Sequence, residues 1–386
     1  MAGFSPRLFF CPMKVCIESI SQYRLEDIKK ILARSFEELG VFNALATAHT
    51  LLIKPNLLGA HHPDKAITTH PVVLEAVIQL MLDAGKDVWI GDSPGGSTPV
   101  KAVWHATGID DLAQRYPVRV CNFSEGGVEE VITESNHFSL SSYAYQADAI
   151  INVAKYKTHS LMLYTGAVKN LYGLVPGLKK ADYHRQKPKP EEFAHVISEL
   201  YGAIHSRVVV NVLDGIWGME GEGPSAGEPR NFGVLMASSS ASALDWVAAR
   251  MLGFKPSQLS YLQQAMMHDG ILPENIEIPM AWKEKKFKKV KIRRIGFFIK
   301  MLAYSPAFVK SIFRRMYDYW PDFNDQCKKC GICVKSCPVG AMTLTPGMKH
   351  PRIDHDKCIK CMCCHEVCPY QAVYIKKTFL AKFLVK

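Results

Sequence analysis

Short apolar runs alternate with amphipathic stretches between residues 13 and 260. Residues 15–20 are apolar and partly β-branched, which predicts a strand. Residues 27–39 carry apolar side chains at helical spacing and predict a helix closed by Gly40. The same patterns predict strands at 50–53, 88–90, 118–121, 149–153, 208–213 and 232–236, and helices at 71–84, 191–204 and 241–252. This alternation predicts an α/β domain with a large mixed or mostly parallel sheet and flanking helices.

Positive charge is concentrated in one segment after this pattern ends. The chain has 386 residues and a net charge of +11. Residues 283–315 contain twelve Lys or Arg and one acidic residue, Glu284, so the rest of the chain is neutral overall. Because apolar residues interleave with these cations, the pattern fits a helix packed on its own domain, a helix on an anionic membrane surface, or a surface for an acidic partner. No nucleic-acid-binding motif accompanies the charge, so nucleic acid is not expected as a partner.

Two copies of the pattern C-x2-C-x2-C-x3-C-P lie near the end of the chain. Three closely spaced thiolates wrap one iron–sulfur cubane, while the fourth cysteine points to the other cluster. This spacing predicts two [4Fe–4S] clusters. The predicted ligands of the first cluster are Cys327, Cys330, Cys333 and Cys368, and those of the second are Cys358, Cys361, Cys364 and Cys337.

Residues 327–369 resemble a bacterial-type two-[4Fe–4S] ferredoxin at every ligand position. A structural zinc site is the alternative, although a duplicated four-cysteine run exceeds what a tetrahedral zinc site needs. Cys363 falls between two predicted ligands, and we interpret it as a bystander or a thiol close to a cluster; a ligand set shifted onto Cys363 is the other interpretation. The remaining cysteines, Cys11, Cys16 and Cys121, are scattered without a disulfide framework, which favours a reducing compartment.

Two glycine-rich segments follow predicted strands. Residues 91–96 read Gly-Asp-Ser-Pro-Gly-Gly and are interpreted either as an anion-binding loop or as a plain tight turn. Residues 214–227 read as a long glycine-rich loop in which Asp214 and Glu220 supply carboxylates for hydrogen bonding or proton transfer; a flexible surface loop without chemistry is the alternative.

A polar constellation is predicted after the apolar run 148–154. Lysines here suit an anionic ligand, and a histidine acts as acid or base near neutral pH. An exposed basic loop is the alternative. The candidate catalytic residues of the large domain are Lys155, Lys157, His159, Lys169, Asp214 and Glu220.

Residues 13–260 resemble one family, the domain of unknown function 362, which is commonly fused to a C-terminal ferredoxin module. The residues that carry this resemblance are Lys54-Pro-Asn56, Thr68-Thr69-His70-Pro71, Gly91-Asp92-Ser93-Pro94-Gly95, Lys155-x-Lys157-Thr158-His159, Thr165-Gly166-Ala167-x-Lys169-Asn170, Asp214-Gly215, Met219-Glu220-Gly221-x-Gly223-Pro224 and Asp245. The resemblance implies an architecture and leaves the reaction open.

These observations predict an α/β domain at 13–282, a basic connector at 283–321 and a small α+β ferredoxin-like domain at 322–376. The sequence has no apolar stretch long enough to span a bilayer and no pattern of a signal peptide, so we expect a cytoplasmic protein. We expect an electron donor or acceptor protein as partner. The leading functional hypothesis is delivery of single electrons to a small anionic substrate held by the α/β domain. The alternatives are an electron carrier whose large domain docks a partner enzyme, and a redox or oxygen sensor.

Overall fold

The computed structural model describes residues 13–278, residue 288 and residues 318–378. The predicted basic connector lies outside the described residues, apart from Lys288 and its last residues. The three domain boundaries stay predictions. No helix in the described part of the chain is long and apolar enough to cross a membrane.

Strands and helices alternate through the large domain and recur on a smaller scale after residue 318. The strands are β1 (Met13–Lys14), β2 (Cys16–Ser19), β3 (Thr50–Lys54), β4 (Asp87–Asp92), β5 (Val118–Asn122), β6 (Val128–Ile132), β7 (His137–Ser141), β8 (Ala149–His159), β9 (Leu163–Thr165), β10 (Val208–Glu220), β11 (Glu228–Ser238), β12 (Ile276–Glu277), β13 (Tyr319–Phe323), β14 (Met342–Thr343), β15 (Arg352–Ile353) and β16 (Val373–Lys377). The helices are α1 (Leu25–Glu38), α2 (Val41–Ala44), α3 (Pro71–Asp83), α4 (Val100–Thr107), α5 (Ile109–Arg115), α6 (Tyr143–Gln146), α7 (Ala167–Asn170), α8 (Lys179–Gln186), α9 (Pro190–Ile204), α10 (Ala241–Met251), α11 (Ser260–Asp269), α12 (Ile332–Lys335) and α13 (Cys363–Glu366).

One sheet of eight strands forms the centre of the large domain. Its strand order is β2-β11-β10-β8-β3-β4-β5, with β9 attached to β8. The neighbours from β10 to β5 run parallel, whereas β11 and β2 add an antiparallel edge and β9 turns back along β8. The predicted α/β fold with a mostly parallel sheet is therefore confirmed.

Helices cover both faces of this sheet and bury a separate apolar cluster on each. On one face α1, α3 and α5 contribute residues such as Leu32, Val77 and Leu112. On the other face α9, α10 and α11 contribute Val196, Leu244 and other fully buried side chains. Because both faces are covered, ligands have access to such a sheet mainly at the carboxyl ends of its parallel strands.

Two central strands are longer than their apolar runs predict. The predicted strand 149–153 continues to His159, because β9 pairs antiparallel with its last residues and returns the chain along it. The predicted loop after residue 213 is wrong up to Glu220, since β10 continues there. A glycine in this part of β10 lets the strand approach β8 closely. A Cβ on Gly218 would lie 2.3 Å from the backbone oxygen of Tyr156 on β8.

The C-terminal part contains two small antiparallel sheets and two one-turn helices. Strand β13 pairs with β16, and β14 pairs with β15. Helices α12 and α13 occupy the same position in the two cysteine runs, 31 residues apart by the numbering of their first ligand candidates, Cys327 and Cys358. The duplication seen in the sequence is thus a duplication in structure.

Candidate functional site between the two domains

The carboxyl ends of β3 and β4 form the floor of a cavity. Lys54 ends β3 and Asp92 ends β4, and the Lys54 ammonium lies 2.9 Å from the Asp92 carboxylate. Asp92 also accepts hydrogen bonds from the backbone N–H groups of Leu57 and Ser93, both at 2.8 Å. Burial lowers the pKa of Lys54, and the neighbouring Asp92 opposes this shift. Lys54 and Asp92 therefore form a hydrogen-bonded ion pair at the floor of the cavity, and their opposite charges balance.

Lys157, on the extended part of β8, holds its ammonium group inside the domain, and no carboxylate of the described residues lies at hydrogen-bond distance from it. Its Nζ donates to Asn56 Oδ1 at 2.8 Å and to the backbone oxygen of Ile67 at 2.7 Å. Burial lowers the pKa of Lys157 well below its ordinary value, and the positive charge of Lys169 adds to that shift. A bound anion would reverse this penalty, because it would supply the missing counter-charge.

The neighbouring His159 is held in one tautomer by the backbone. Its Nδ1 accepts from the N–H groups of Leu161 at 3.1 Å and Met162 at 3.3 Å, so the proton of the neutral ring is on Nε2. Burial, together with Lys169 and Lys157, lowers the pKa of His159 well below its usual range and keeps the ring neutral. Nε2 lies 3.2 Å from Oε1 of Glu366, but neither atom makes a well-aligned hydrogen bond within the described residues. Both atoms therefore remain available to a ligand.

Lys169 lies on α7, whose first turn is fixed by Asp245. The buried Asp245 carboxylate accepts from the backbone N–H groups of Ala167 at 2.7 Å and Val168 at 2.9 Å. The Lys169 ammonium lies 6.0 Å from the centre of the Tyr172 ring and has no hydrogen-bond partner among the described residues. Burial lowers the pKa of Lys169, and Glu366 opposes this shift. Lys169 is thus a half-buried cation at the cavity wall, and Glu366 compensates its charge only at a distance.

The ferredoxin-like module closes the cavity from the other side. Its helix α13 and the residue after it supply Cys363, Glu366 and Val367, while Ser336 comes from the first cysteine run. The enclosed volume is about 90 Å³. An apolar cavity of about 150 Å³ accommodates benzene, so this space suits a ligand of only a few non-hydrogen atoms. The large domain contributes Lys54, Asn56, Asp92, Ser93, Gly95, Gly96, Lys157, His159, Thr165, Lys169, Asn170, Tyr172, Lys180 and His184, among others.

Direct contacts hold the module against the large domain around the cavity. Ser97 donates its backbone N–H to Ser336 Oγ at 3.2 Å, and Ser225 Oγ donates to the backbone oxygen of His365 at 3.0 Å. Gly96 adopts φ +65, and a Cβ there would lie 2.3 Å from Ser336 Oγ. The segment 91–96 is therefore both a cavity wall and a contact surface for the module.

The remaining predicted residues of the large domain lie outside this cavity. Lys155 forms a fully buried ion pair with Asp214, with 2.7 Å between Nζ and Oδ2. Tyr23 links the pair, because its hydroxyl donates to Asp214 at 2.9 Å and accepts from Lys155 at 3.0 Å. Glu220 pairs instead with Arg230 at 2.7 Å. The structure thus brings Lys157, His159 and Lys169 together and separates Lys155, Asp214 and Glu220 from them.

The predicted ligands of the first cluster line one cavity, and those of the second lie close enough to affect the pKa of Cys364. A small cavity in the first half of the module is lined by the four thiols Cys327, Cys330, Cys333 and Cys368. Burial, followed by the neighbouring Cys368, Cys330 and Cys327 thiols, raises the pKa of Cys333 to about 12. In the second half, burial raises the pKa of the Cys364 thiol well above its usual range, and further causes are the nearby Cys361, Cys358 and Cys337, together with Cys333.

The backbone of the two cysteine runs follows one pattern. Lys329 and Lys360 have φ +55 and +56, and the N–H groups of Ala341 and Ala372 each donate to a cysteine sulfur, Cys337 and Cys368, at 3.3 Å. Within residues 13–278, 288 and 318–378, no three His, Cys, Asp or Glu side chains are grouped to hold a single metal ion. Four thiols around a shared space, with N–H groups aimed at sulfur, fit a multi-iron cluster better than zinc.

Comparison with known proteins agrees with this division of the molecule. Residues 51–250 match the family described as domain of unknown function (DUF362), and residues 326–372 match a 4Fe-4S dicluster domain.

The chain belongs to the DUF362 family.

The DUF362 chain is 35% identical over 221 residues to the thylakoid-associated protein sll1697 from Synechocystis sp.. That alignment covers 57% of this chain and 68% of the relative. Among solved structures, a lactate racemase apoprotein from Thermoanaerobacterium thermosaccharolyticum matches with a TM-score of 0.41 and 14% identity. This match covers 62% of the DUF362 chain and 57% of the racemase chain, and no functional conclusion follows from it. The ferredoxin-type domain carries 4Fe–4S iron–sulfur chemistry and supports electron transfer.

Sequence reasoning missed several residues that line the cavity of this DUF362 protein. Lys54 and Asp92 belong to segments that carry the family resemblance, and this was the signal that could have identified them. The ion pair between them could not be predicted from the sequence. Lys180 and His184 lie on α8, which the apolar pattern did not predict. Glu366 had no signal of its own, because it lies within the second cysteine run and nothing there indicates which way it faces.

Proposed function

We propose that this protein passes single electrons through its ferredoxin-type module to a small anion bound in the cavity between the module and the DUF362 domain. The observation that carries this proposal is that the second cysteine run and the large domain line the same cavity. Cys363 and Glu366 lie between predicted ligands of the second cysteine run and face the same cavity as Lys157, His159 and Lys169. A site for reduction needs this proximity, because a substrate held far from the cysteines would receive no electrons.

The proposal includes two [4Fe–4S] clusters in the module. Cys327, Cys330, Cys333 and Cys368 would hold the first, and Cys358, Cys361, Cys364 and Cys337 would hold the second. Each cluster, when bound, takes up and releases one electron at a time. In this assignment Cys363 is not a ligand, and its counterpart in the first run is Ile332.

The residues of the cavity have separate tasks in this proposal. The ammonium groups of Lys157 and Lys169 bind the anion, since Lys157 is buried and Lys169 half-buried, and neither has a carboxylate at hydrogen-bond distance among the described residues. His159 donates from Nε2 to a ligand oxygen, and Glu366 beside it accepts a hydrogen bond from a ligand hydroxyl or exchanges a proton with His159. The buried side chains around the cavity lower the local dielectric constant, which strengthens each of these interactions.

Lys155, Asp214 and Glu220 act in this proposal by positioning the chain. The Lys155–Asp214 pair holds the Tyr23 hydroxyl and the backbone N–H of His70, the N-cap residue of α3. Glu220 fixes the end of β10 through Arg230 and receives the backbone N–H of Lys288 at 2.9 Å. These contacts shape the strands from which the cavity residues project.

The direct test is reoxidation of the reduced protein by small molecules. We expect the anaerobically reduced protein to be reoxidised by at least one member of a panel of two- to four-carbon 2-oxo carboxylates and nitrogen and sulfur oxyanions. Absorbance of the iron–sulfur chromophore measures the rate. A Lys157→Met/His159→Gln variant with normal iron content should lose this reoxidation, because both ligand contacts are removed.

A different result would contradict the proposal. If protein oxidants reoxidise the wild type but no small anion does, the DUF362 domain is a docking module and the protein is an electron carrier. Equal rates for the wild type and the double variant would place the reaction outside the cavity. An exposed substitution, Lys179→Gln, serves as the control because Lys179 is the first residue of α8 and does not line the cavity.

Anion binding should strengthen as the pH falls through neutrality. Burial lowers the pKa of Lys180 to about 7 from its ordinary 10.5, with Asp92 opposing the shift. Lys180 is therefore neutral above this pKa and gains a positive charge below it, next to the cavity. We expect the affinity for a small carboxylate to rise by about tenfold between pH 8 and pH 6. Binding isotherms at several pH values test this, and Lys180→Met should flatten the profile.

We propose a reducing compartment, as in the cytoplasm, as the place of action. Cys16 and Cys121 are buried and unpaired, and burial raises the pKa of both thiols to about 11. Contact of residues 283–316 with a membrane surface remains a second proposal, supported by their composition and by the thylakoid association in the name of the cyanobacterial relative. Vesicle flotation with and without anionic lipid tests the membrane contact.

A further inference from the structure

The two halves of the ferredoxin-type module differ in how far they are exposed. In the second half, Cys361, Met362, Cys363 and Cys364 are all buried, and this half faces the DUF362 domain. In the first half, Cys330 is exposed, and so are the two preceding residues, Lys328 and Lys329. A partner protein therefore has direct access to the first half.

Equivalent positions of the two runs have diverged in charge and contact. Lys360 in the second run pairs with Asp318, whereas its counterpart Lys329 has no ion pair among the described residues. Glu366 faces the cavity, whereas its counterpart Lys335 on α12 is exposed. The same backbone thus presents cations outward in one run and a carboxylate inward in the other.

The exposed rim of the first half combines positive charge with an aromatic ring. Lys328 and Lys329 line the cavity formed by the first four thiols, and Tyr370 beside them is 43% exposed. No acidic side chain lines that cavity. Aromatic residues with a cationic rim are typical of interfaces that recognise acidic proteins.

We propose that Lys328, Lys329 and Tyr370 form the docking surface for a small acidic protein that donates one electron at a time. In each encounter the donor is oxidised by one electron and the module is reduced by one. Electrons then enter through the first cysteine run and leave through the second, beside the cavity. This inference rests on the proposed clusters but not on reduction of an anion in the cavity.

The test uses oxidised flavodoxin, an acidic one-electron carrier, as the probe. We expect it to bind the iron-loaded protein at low ionic strength, with an affinity that falls steeply as salt is added. A Lys328→Glu/Lys329→Glu variant should bind at least about tenfold more weakly and show a flatter salt dependence. Calorimetric titration measures this without any turnover. Reduction by reduced flavodoxin should slow in parallel, while reduction by photoreduced deazaflavin should not change.

The control is Lys30→Glu/Lys255→Glu, which makes the same change in net charge at two exposed positions of the DUF362 domain. Its flavodoxin affinity should stay within about twofold of the wild type. If reversal of Lys328 and Lys329 lowers iron content, the milder Lys328→Gln/Lys329→Gln variant is used. Wild-type affinity in the variants overturns the proposal, as does an equal loss in the control. Binding to phosphatidylserine vesicles through these lysines, without binding to flavodoxin, overturns it as well.

Discussion

Replacing Lys155 with methionine is expected to lower the free energy of unfolding by about 3–5 kcal/mol. The substitution leaves the Asp214 carboxylate fully buried, with hydrogen bonds from Tyr23 and the His70 N–H but without its cation. Urea unfolding, followed by tryptophan fluorescence under anaerobic conditions, measures the loss. Below the unfolding transition, anion binding should be nearly unchanged, because Lys155 does not line the cavity.

The matched control for this prediction is Lys155→Met/Asp214→Asn. Removing the buried charge together with its partner should restore a large part of the lost stability, since an uncompensated carboxylate causes most of the cost. A Lys155→Met protein that is as stable as the wild type would show that the buried Lys155–Asp214 pair contributes nothing net to stability. A selective loss of anion binding with normal stability would instead return Lys155 to the list of ligand-binding residues.

Replacing Lys169 with glutamine is expected to weaken anion binding by about tenfold to a hundredfold. The ammonium group has no hydrogen-bond partner among the described residues, so its removal costs only the long contact with the Tyr172 ring, 6.0 Å from Nζ to the ring centre. We expect stability to stay the same or to rise slightly, because burying an uncompensated cation is unfavourable. Equilibrium titration with the tightest-binding carboxylate of the panel measures the affinity.

Lys179→Gln is the control for Lys169→Gln, since the Lys179 side chain is 51% exposed and its nearest carboxylate, on Glu130, is 4.0 Å away. It should bind the same carboxylate as the wild type does. Unchanged affinity in Lys169→Gln would mean that the anion is held without Lys169. A large drop in stability would mean instead that Lys169 has a structural partner and that the cavity is not electrostatically open.

The sequence predicted those helices and strands whose apolar residues form a continuous run or a regular helical pattern. The helix at α9 and the strand β3 were predicted nearly to their ends, because burial and polarity change together there. The extension of β8 was not predicted, since Lys155, Lys157 and His159 resemble a solvated loop. Their polar groups are satisfied by partners distant in sequence, namely Asp214 for Lys155 and Asn56 for Lys157.

The candidate site was predictable only in part, for the same reason. The sequence indicated that cations gather after the strand 149–153, and three of the predicted residues line one cavity. It did not indicate that the second cysteine run forms a wall of that cavity. Such a wall depends on packing between segments far apart in the sequence, as in the contact between Ser97 and Ser336, which are separated by 239 residues. Local patterns of apolar and polar residues contain no information about it.

Because the second cysteine run forms part of the cavity wall, iron insertion should precede ligand binding when this protein is made. Residues 358–368 hold three of the predicted ligands of the second cluster, Cys358, Cys361 and Cys364, and metal binding commonly supplies the folding free energy of such segments. A newly made chain without iron would therefore lack the wall that carries Cys363 and Glu366. We expect ligand capture to begin only after iron has been inserted, so that immature chains do not sequester the anion before they have electrons to deliver.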